Sequence, residues 1–289
     1  MRVIAHISDL HFGKLQQPTV QPLADELHAL RPDLVAISGD LTQRARRGQF
    51  RAAREYLNRL PGPQIVVPGN HDLPLFNLPM RFLTPLRGYH KWISEDMTPV
   101  WMDDELVVVG VNTSRRLERK GGKIGEDQVE RICRAFEAAD QGQCRIVVTH
   151  HPFDLPPHLE HKDNLLIGRS AMAMEQFARC GVELFLAGHL HVSHRGSAAR
   201  YGIPGYTPLI VQAGTATSSR YRGEANAWNI IRIGPDHIDV ETRAWQPFAL
   251  RFSPAQTERF ARDVTPDLAR RHPISNLSPA RPPLPTTRS

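Results

Sequence analysis

At 289 residues and 32.6 kDa, the chain has room for one large domain or two small ones, each with a sizeable core. Hydrophobic residues make up 40% and charged residues 23%, which excludes a wholly disordered, collagen-like or disulfide-scaffold protein. The formal charge is +6, but six arginines against Asp263 and Asp267 from Arg259 onward place a surplus of four in the last stretch. That stretch also carries six prolines between Pro266 and Pro285, so it is expected to be a mobile, solvated tail rather than a nucleic-acid arm.

Cys133, Cys144 and Cys180 are odd in number and far apart, and they form no Cys-x-x-Cys pair; a reducing compartment suits them. No segment approaches the roughly 20 apolar residues of a membrane span. Met1-Arg2 leads directly into Val3 to Ile7, too short and polar for a signal-peptide core, so a cytoplasmic protein is expected.

In chain order, Val3 to Ile7, Leu34 to Ile37, Ile65 to Val67, Leu106 to Val111, Ile146 to Val148 and Leu184 to Ala187 read as short buried strands bounded by turn residues. Between them Phe50, Ala53, Leu57 and Leu60, then Val129, Ile132, Cys133 and Phe136, then Ala173, Met174 and Phe177, recur at helical spacing. The alternation predicts an α/β fold around largely parallel sheets. Residues 73–96 break it: Pro74, Pro79 and Pro85 interrupt any long helix while Phe76, Phe82, Tyr89 and Trp92 supply aromatic surface, which reads as an insertion packed over something. After His194, Thr207 to Ala213, Trp228 to Ile233 and Ile238 to Ala244 predict an antiparallel meander, followed by a short helix from about Pro254 to Asp263. The expected organisation is one domain over 1–250 and a C-terminal helix and Pro/Arg-rich tail over 251–289.

Five motifs stand at or just beyond strand ends, where open α/β sheets bind ligands: Asp9-Leu10-His11, Gly39-Asp40, Gly69-Asn70-His71-Asp72, His150-His151-Pro152 and Gly188-His189-Leu190-His191. In an extended chain with period two, Asp9 and His11 fall on one side. Each motif alone has an ordinary reading as a turn, cap or surface imidazole; their ordered conjunction does not. Carboxylate and imidazole with one amide and no thiolate suit two divalent ions such as manganese, iron or zinc. Asp9, His11 and His191 are candidate ligands of one ion, Asn70, His150 and His189 of a second, with Asp40 bridging. Such a pair clamps a phosphoryl group and generates hydroxide near neutral pH.

This ordered set resembles the calcineurin-like binuclear metallophosphoesterase superfamily over roughly the first 215 residues. The resemblance implies a four-layer αββα sandwich, two mixed β-sheets flanked by helices, with the site at one edge of the sheets, and places His71 near the leaving group. Gly39-Asp40-Leu41-Thr42 and His150-His151-Pro152 are most similar to bacterial class III cyclic-nucleotide phosphodiesterases and related glycerophosphodiesterases, although Leu73 stands where the former often carry another acid. The function implied is hydrolysis of a small phosphodiester by a metal-bridging hydroxide, with His71 stabilising charge or protonating the leaving group. The alternatives are a repair-type nuclease, opposed by the confinement of positive charge to the tail, and a non-catalytic scaffold, opposed by a complete ligand set.

Arg44 follows Asp40 closely enough to reach a phosphate, Tyr89 and His90 are candidates to line a pocket, and Asn112 ends a strand beside the cleft. Each also has a structural reading, as a charged helix face, packing or capping. His151 is read equally as a ligand or as support for one. The sequence assigns no oligomeric state.

Overall fold

The computed structural model of the chain describes residues 1–118, 120–220 and 223–262. It begins with β1 (Arg2–Ile7), α1 (Gln17–Leu30), β2 (Leu34–Ile37), α2 (Arg47–Leu57) and β3 (Gln64–Val66), followed by two short helices, α3 (Leu78–Leu83) and α4 (Arg87–Trp92). The middle of the chain forms β4 (Val100–Met102), β5 (Leu106–Gly110), β6 (Gly122–Lys123), α5 (Glu126–Glu137), β7 (Cys144–Val148), β8 (Ile167–Gly168), α6 (Ser170–Arg179) and β9 (Leu184–Ala187). It ends with β10 (His194–Ser197), β11 (Leu209–Gln212), β12 (Ala227–Ile233), β13 (His237–Gln246) and β14 (Arg251–Ala261).

Two six-stranded mixed sheets result, in the orders β14-β13-β12-β1-β2-β3 and β10-β11-β9-β7-β5-β4. β1, β2 and β3 are parallel, as are β5, β7, β9 and β11. The strands read as apolar runs because both faces of each sheet are covered. Leu34 and Ala36 of β2 face the second sheet through Val108, Ile146 and Leu186, whereas Val35 and Ile37 pack with Leu23 and Leu27 of α1 and Phe50 and Ala53 of α2. On the far side, Val107, Val147 and Phe185 meet Val129, Ile132 and Phe136 of α5 and Ala173, Met174 and Phe177 of α6. The layers are therefore helix, sheet, sheet, helix, as expected.

Several local expectations are corrected. Residues 251–261 form an edge strand, β14, not a helix: Pro254 stands opposite Arg243, where the register with β13 shifts, and an edge-strand bulge tolerates a residue with no N–H to donate. The expected meander holds for β12 and β13, but β11 lies in the other sheet, parallel to β9. α1 was not foreseen, since Pro22 interrupts its pattern, yet Leu23, Ala24 and Leu27 are buried along it. Cys133 and Cys180 are not separate thiols: the packing of α5 on α6 brings their Cα atoms to 5.5 Å and the structure pairs them as a disulfide, leaving Cys144 free and buried. That removes the support the cysteine pattern gave to a reducing compartment. The expected Pro/Arg-rich tail lies outside the described residues. Among the described residues, no helix is long and apolar enough to cross a membrane.

His6 ends the inter-sheet face of β1, fully buried, with Nε2 3.0 Å from Ser38 Oγ. Burial, only partly offset by Asp9, pushes its pKa down to about 3. A histidine kept neutral in the folded state and protonated in the unfolded one contributes stability that is complete above about pH 6.5 and lost as pH falls toward about 3. Urea unfolding of metal-free protein should show stability falling across this window, and His6→Gln should reduce the slope by up to about 1.4 kcal/mol per pH unit. An unchanged slope in the variant would contradict this assignment.

Candidate metal centre

The loops after β1, β2, β3, β7 and β9 meet at the carboxyl ends of the two sheets. The β1 and β2 loops run side by side, with Asp9 N–H donating to the Gly39 carbonyl at 3.0 Å, His11 N–H to Asp40 at 2.9 Å and Phe12 N–H to Leu41 at 2.8 Å. The Asp72 carboxylate ties the β3 loop to the same backbone, accepting from Gly69 N (2.9 Å), Leu41 N (3.1 Å), Thr42 N (2.8 Å) and Thr42 Oγ1 (3.0 Å). Burial pushes the Asp72 pKa up, while these donors favour the anion.

Asp9, His11, Asp40, His189 and His191 all adopt positive φ, from 52° to 76°. Such backbone costs about 1–2 kcal/mol per non-glycine residue and persists only where the surroundings enforce it. This also revises how Asp9 and His11 converge. β1 ends at Ile7, so left-handed turns rather than strand alternation bring the two side chains together.

Asp9, His11, Asp40 and His191 present ligand atoms within 4.8 Å of one another, all buried. Asp9 Oδ1 lies 3.1 Å from His191 Nε2 and 3.4 Å from His11 Nε2, and the two nitrogens are 3.2 Å apart. A second group joins His150, His151 and His189. Asn70 Oδ1 lies 3.1 Å from both His150 Nε2 and His189 Nδ1, which are 3.3 Å from each other. Ligands about 2.0–2.1 Å from one ion stand about 3.0–3.4 Å apart in octahedral or tetrahedral geometry, so both groups have the spacing of a coordination shell. Asp40 lies between them, with Oδ2 3.6 Å from His11 Nε2 and Oδ1 3.4 Å from His150 Nε2.

The protonation pattern also fits cations. His150 Nδ1 donates to the Ser38 carbonyl at 2.7 Å and His191 Nδ1 to the Arg220 carbonyl at 3.1 Å, which leaves each Nε2 with a lone pair facing its group. Asp9 Oδ1 is buried and makes no directed hydrogen bond. Although burial pushes the Asp9 carboxyl up, His191, His11 and His150 hold it well below the ordinary range. Burial and the neighbouring Asp9 and Asp72 carboxylates push Asp40 well above it. Two buried carboxylates so placed can both be ionised only beside compensating positive charge.

The other candidates fall in different places. The His71 ring stands edge-on to His11, with centroids 4.9 Å apart. Its pKa is held down to about 3 by burial, then by His11 and Arg220. His151 is buried, with Nδ1 2.8 Å from Thr113 Oγ1 and Nε2 without a hydrogen-bond partner. Arg44 lies over the exposed Phe76 ring at 5.2 Å. Tyr89 belongs to the first-layer core, fully buried, and donates its hydroxyl proton to the Val66 carbonyl at 2.9 Å, whereas His90 is exposed. Asn112 is a turn residue: its Oδ1 accepts from Ser114 N at 2.8 Å and its carbonyl from Gln128 Nε2 at 2.8 Å.

One residue beside this centre was missed. Arg220 Nη1 lies 2.8 Å from His71 Nε2. The only sequence signal was an arginine after Ser218-Ser219, with Arg222 two residues on and no spacing to mark either as part of the site.

Among known protein families, the model described as Calcineurin-like phosphoesterase matches residues 2–193. A probable cyclic nucleotide phosphodiesterase of Synechococcus sp. is 25% identical over 214 residues, covering 70% of this chain and 79% of that protein. A probable glycerophosphodiester phosphodiesterase of Arcobacter nitrofigilis is 27% identical over 166 residues, 56% of this chain and 57% of that one. The purple acid phosphatase of yellow lupin (Lupinus luteus) seeds shares the fold, with a TM-score of 0.62 at 13% identity over 91% of this chain and 54% of the plant chain. The chain thus spans little more than half the length of the last two.

Proposed function

The chain belongs to the calcineurin-like phosphoesterase family, and on that premise we propose that it hydrolyses phosphodiester bonds of a small nucleotide or glycerophosphodiester-like substrate. The observation that carries the proposal is Asp40, whose two oxygens face two separate ligand groups. Asp9, His11 and His191 would hold one divalent ion, Asn70, His150 and His189 the other, with manganese, iron or zinc suited to the donor set. When bound, such a pair neutralises phosphate charge and lowers the pKa of water.

The chain's own residues supply the rest. Ser8 Oγ donates to Asp9 Oδ2 at 2.6 Å and His189 N–H to the same oxygen at 3.0 Å, which fixes the carboxylate and leaves Oδ1 for the ligand group. His71 N–H donates to Asp40 Oδ1 at 2.8 Å and sets the angle of the carboxylate between the groups. Donors of this kind fix the orientation of the ligand carboxylates before an ion arrives.

A screen of bis(4-nitrophenyl) phosphate, cyclic nucleotides, glycerophosphodiesters and single-stranded DNA, with manganese or zinc added, tests the proposal. Hydrolysis of one or more small diesters, abolished by chelation and restored by metal, is the expected result. Turnover of DNA alone would favour a nuclease, and no turnover of any ester would contradict the proposal.

A further inference from the structure

Residues 213–220 are bound tightly to the loop that carries Asp9 and His11. Thr215 Oγ1 donates to the Asp9 carbonyl at 2.8 Å, Thr217 Oγ1 to the Leu10 carbonyl at 2.9 Å and Ala216 N–H to the Ser8 carbonyl at 2.9 Å. Ser219 N–H reaches the Lys14 carbonyl at 2.8 Å, and Asn226 Nδ2 braces the segment through the carbonyls of Thr215 (3.2 Å) and Ser218 (2.8 Å). Arg220 is therefore presented from a fixed backbone. Its carbonyl orients His191, and its half-buried guanidinium points to His71.

His71 Nδ1 lies 2.9 Å from the Gln43 carbonyl, which only accepts, and 3.4 Å from Gln43 Nε2; the shorter contact places the proton on Nδ1. In the neutral ring Nε2 is then a lone pair, and the Arg220 Nη1–H donates to it at 2.8 Å. A protonated His71 would set N–H against N–H there. In this arrangement His71 Nε2 carries no proton, while the guanidinium has further N–H donors and makes no ion pair among the described residues. A cation with no carboxylate partner among the described residues, beside a candidate cation centre, is electrostatically costly until an anion arrives. Planar guanidinium donors match the oxygens of a phosphate.

We propose that Arg220 contacts the substrate and binds a non-bridging phosphate oxygen, and that His71 is the positioning residue that aims its guanidinium. This rests on the phosphodiester reading above and shifts the charged role from His71 to Arg220.

The test uses manganese-loaded wild type, Arg220→Gln, Arg220→Lys, His71→Ala and the Arg220→Gln/His71→Ala double variant. Inorganic phosphate is titrated calorimetrically, bound manganese is counted, and kcat and KM are measured on bis(4-nitrophenyl) phosphate. Because the backbone carbonyl that holds His191 survives every change at 220, metal content should stay at the wild-type value. Arg220→Gln should weaken phosphate about 10–100-fold, and Arg220→Lys should recover part of the loss. His71→Ala should weaken phosphate in the wild-type background and add nothing in the Arg220→Gln background. Phosphate affinity unchanged by Arg220→Gln would overturn the role of Arg220, and an undiminished His71→Ala effect in the double variant would overturn the positioning role. A wild type that neither cleaves the diester nor binds phosphate would instead refute the phosphodiester reading, and this inference with it.

Discussion

Asp40→Asn is expected to lower kcat/KM on a small diester by on the order of 10³-fold or more and to reduce bound manganese below two ions per chain. The amide keeps the shape of the carboxylate and an oxygen that can accept His71 N–H, so the fold should persist. What it loses is the anion that faces both ligand groups. Because burial and the Asp9 and Asp72 carboxylates push Asp40 well above the usual carboxylate range when no cation compensates them, the metal-free variant should unfold within about 1 kcal/mol of metal-free wild type. Elemental analysis together with urea unfolding, with and without metal, checks both halves. A variant that still binds two ions would refute the bridging role.

The second large effect comes from a backbone position. A Cβ on Gly188 would lie 1.8 Å from Ser8 Oγ and 2.7 Å from Asp9 Oδ2, so Gly188→Ala must displace the hydroxyl that holds Asp9 in place. Overpacking at so rigid a spot costs about 1–3 kcal/mol, and the displaced carboxylate should weaken metal binding as well. Gly48→Ala is the control: it lies in α2, where a Cβ meets nothing within 4 Å, and should be neutral or slightly stabilising. Thermal unfolding and metal titration of both variants would show this, and equal behaviour of the two would contradict the packing argument.

The legible parts of the fold are those that burial writes into the sequence. β2, β5, β7 and β9 lie between layers and read as aliphatic runs, and α5 and α6 show their core faces at helical spacing. α1 and β14 were hard to read because Pro22 and Pro254 interrupt their patterns, and an edge strand with exposed residues at Ala255, Gln256 and Thr257 carries little alternation. The candidate ligands stood out through five short motifs, but the left-handed turns that aim Asp9, His11 and His191 leave no mark in residue type. Arg220 and the Cys133–Cys180 pair were invisible for a related reason: each depends on a tertiary contact between segments far apart in sequence.

The central claim, two ions on either side of Asp40, is tested most directly by anomalous diffraction at the manganese edge from crystals of the manganese-loaded protein. The account predicts two peaks separated by about 3.5–4 Å, one bounded by Asp9, His11 and His191 and the other by Asn70, His150 and His189, with Asp40 touching both. A single peak, or two of which Asp40 touches only one, would contradict it.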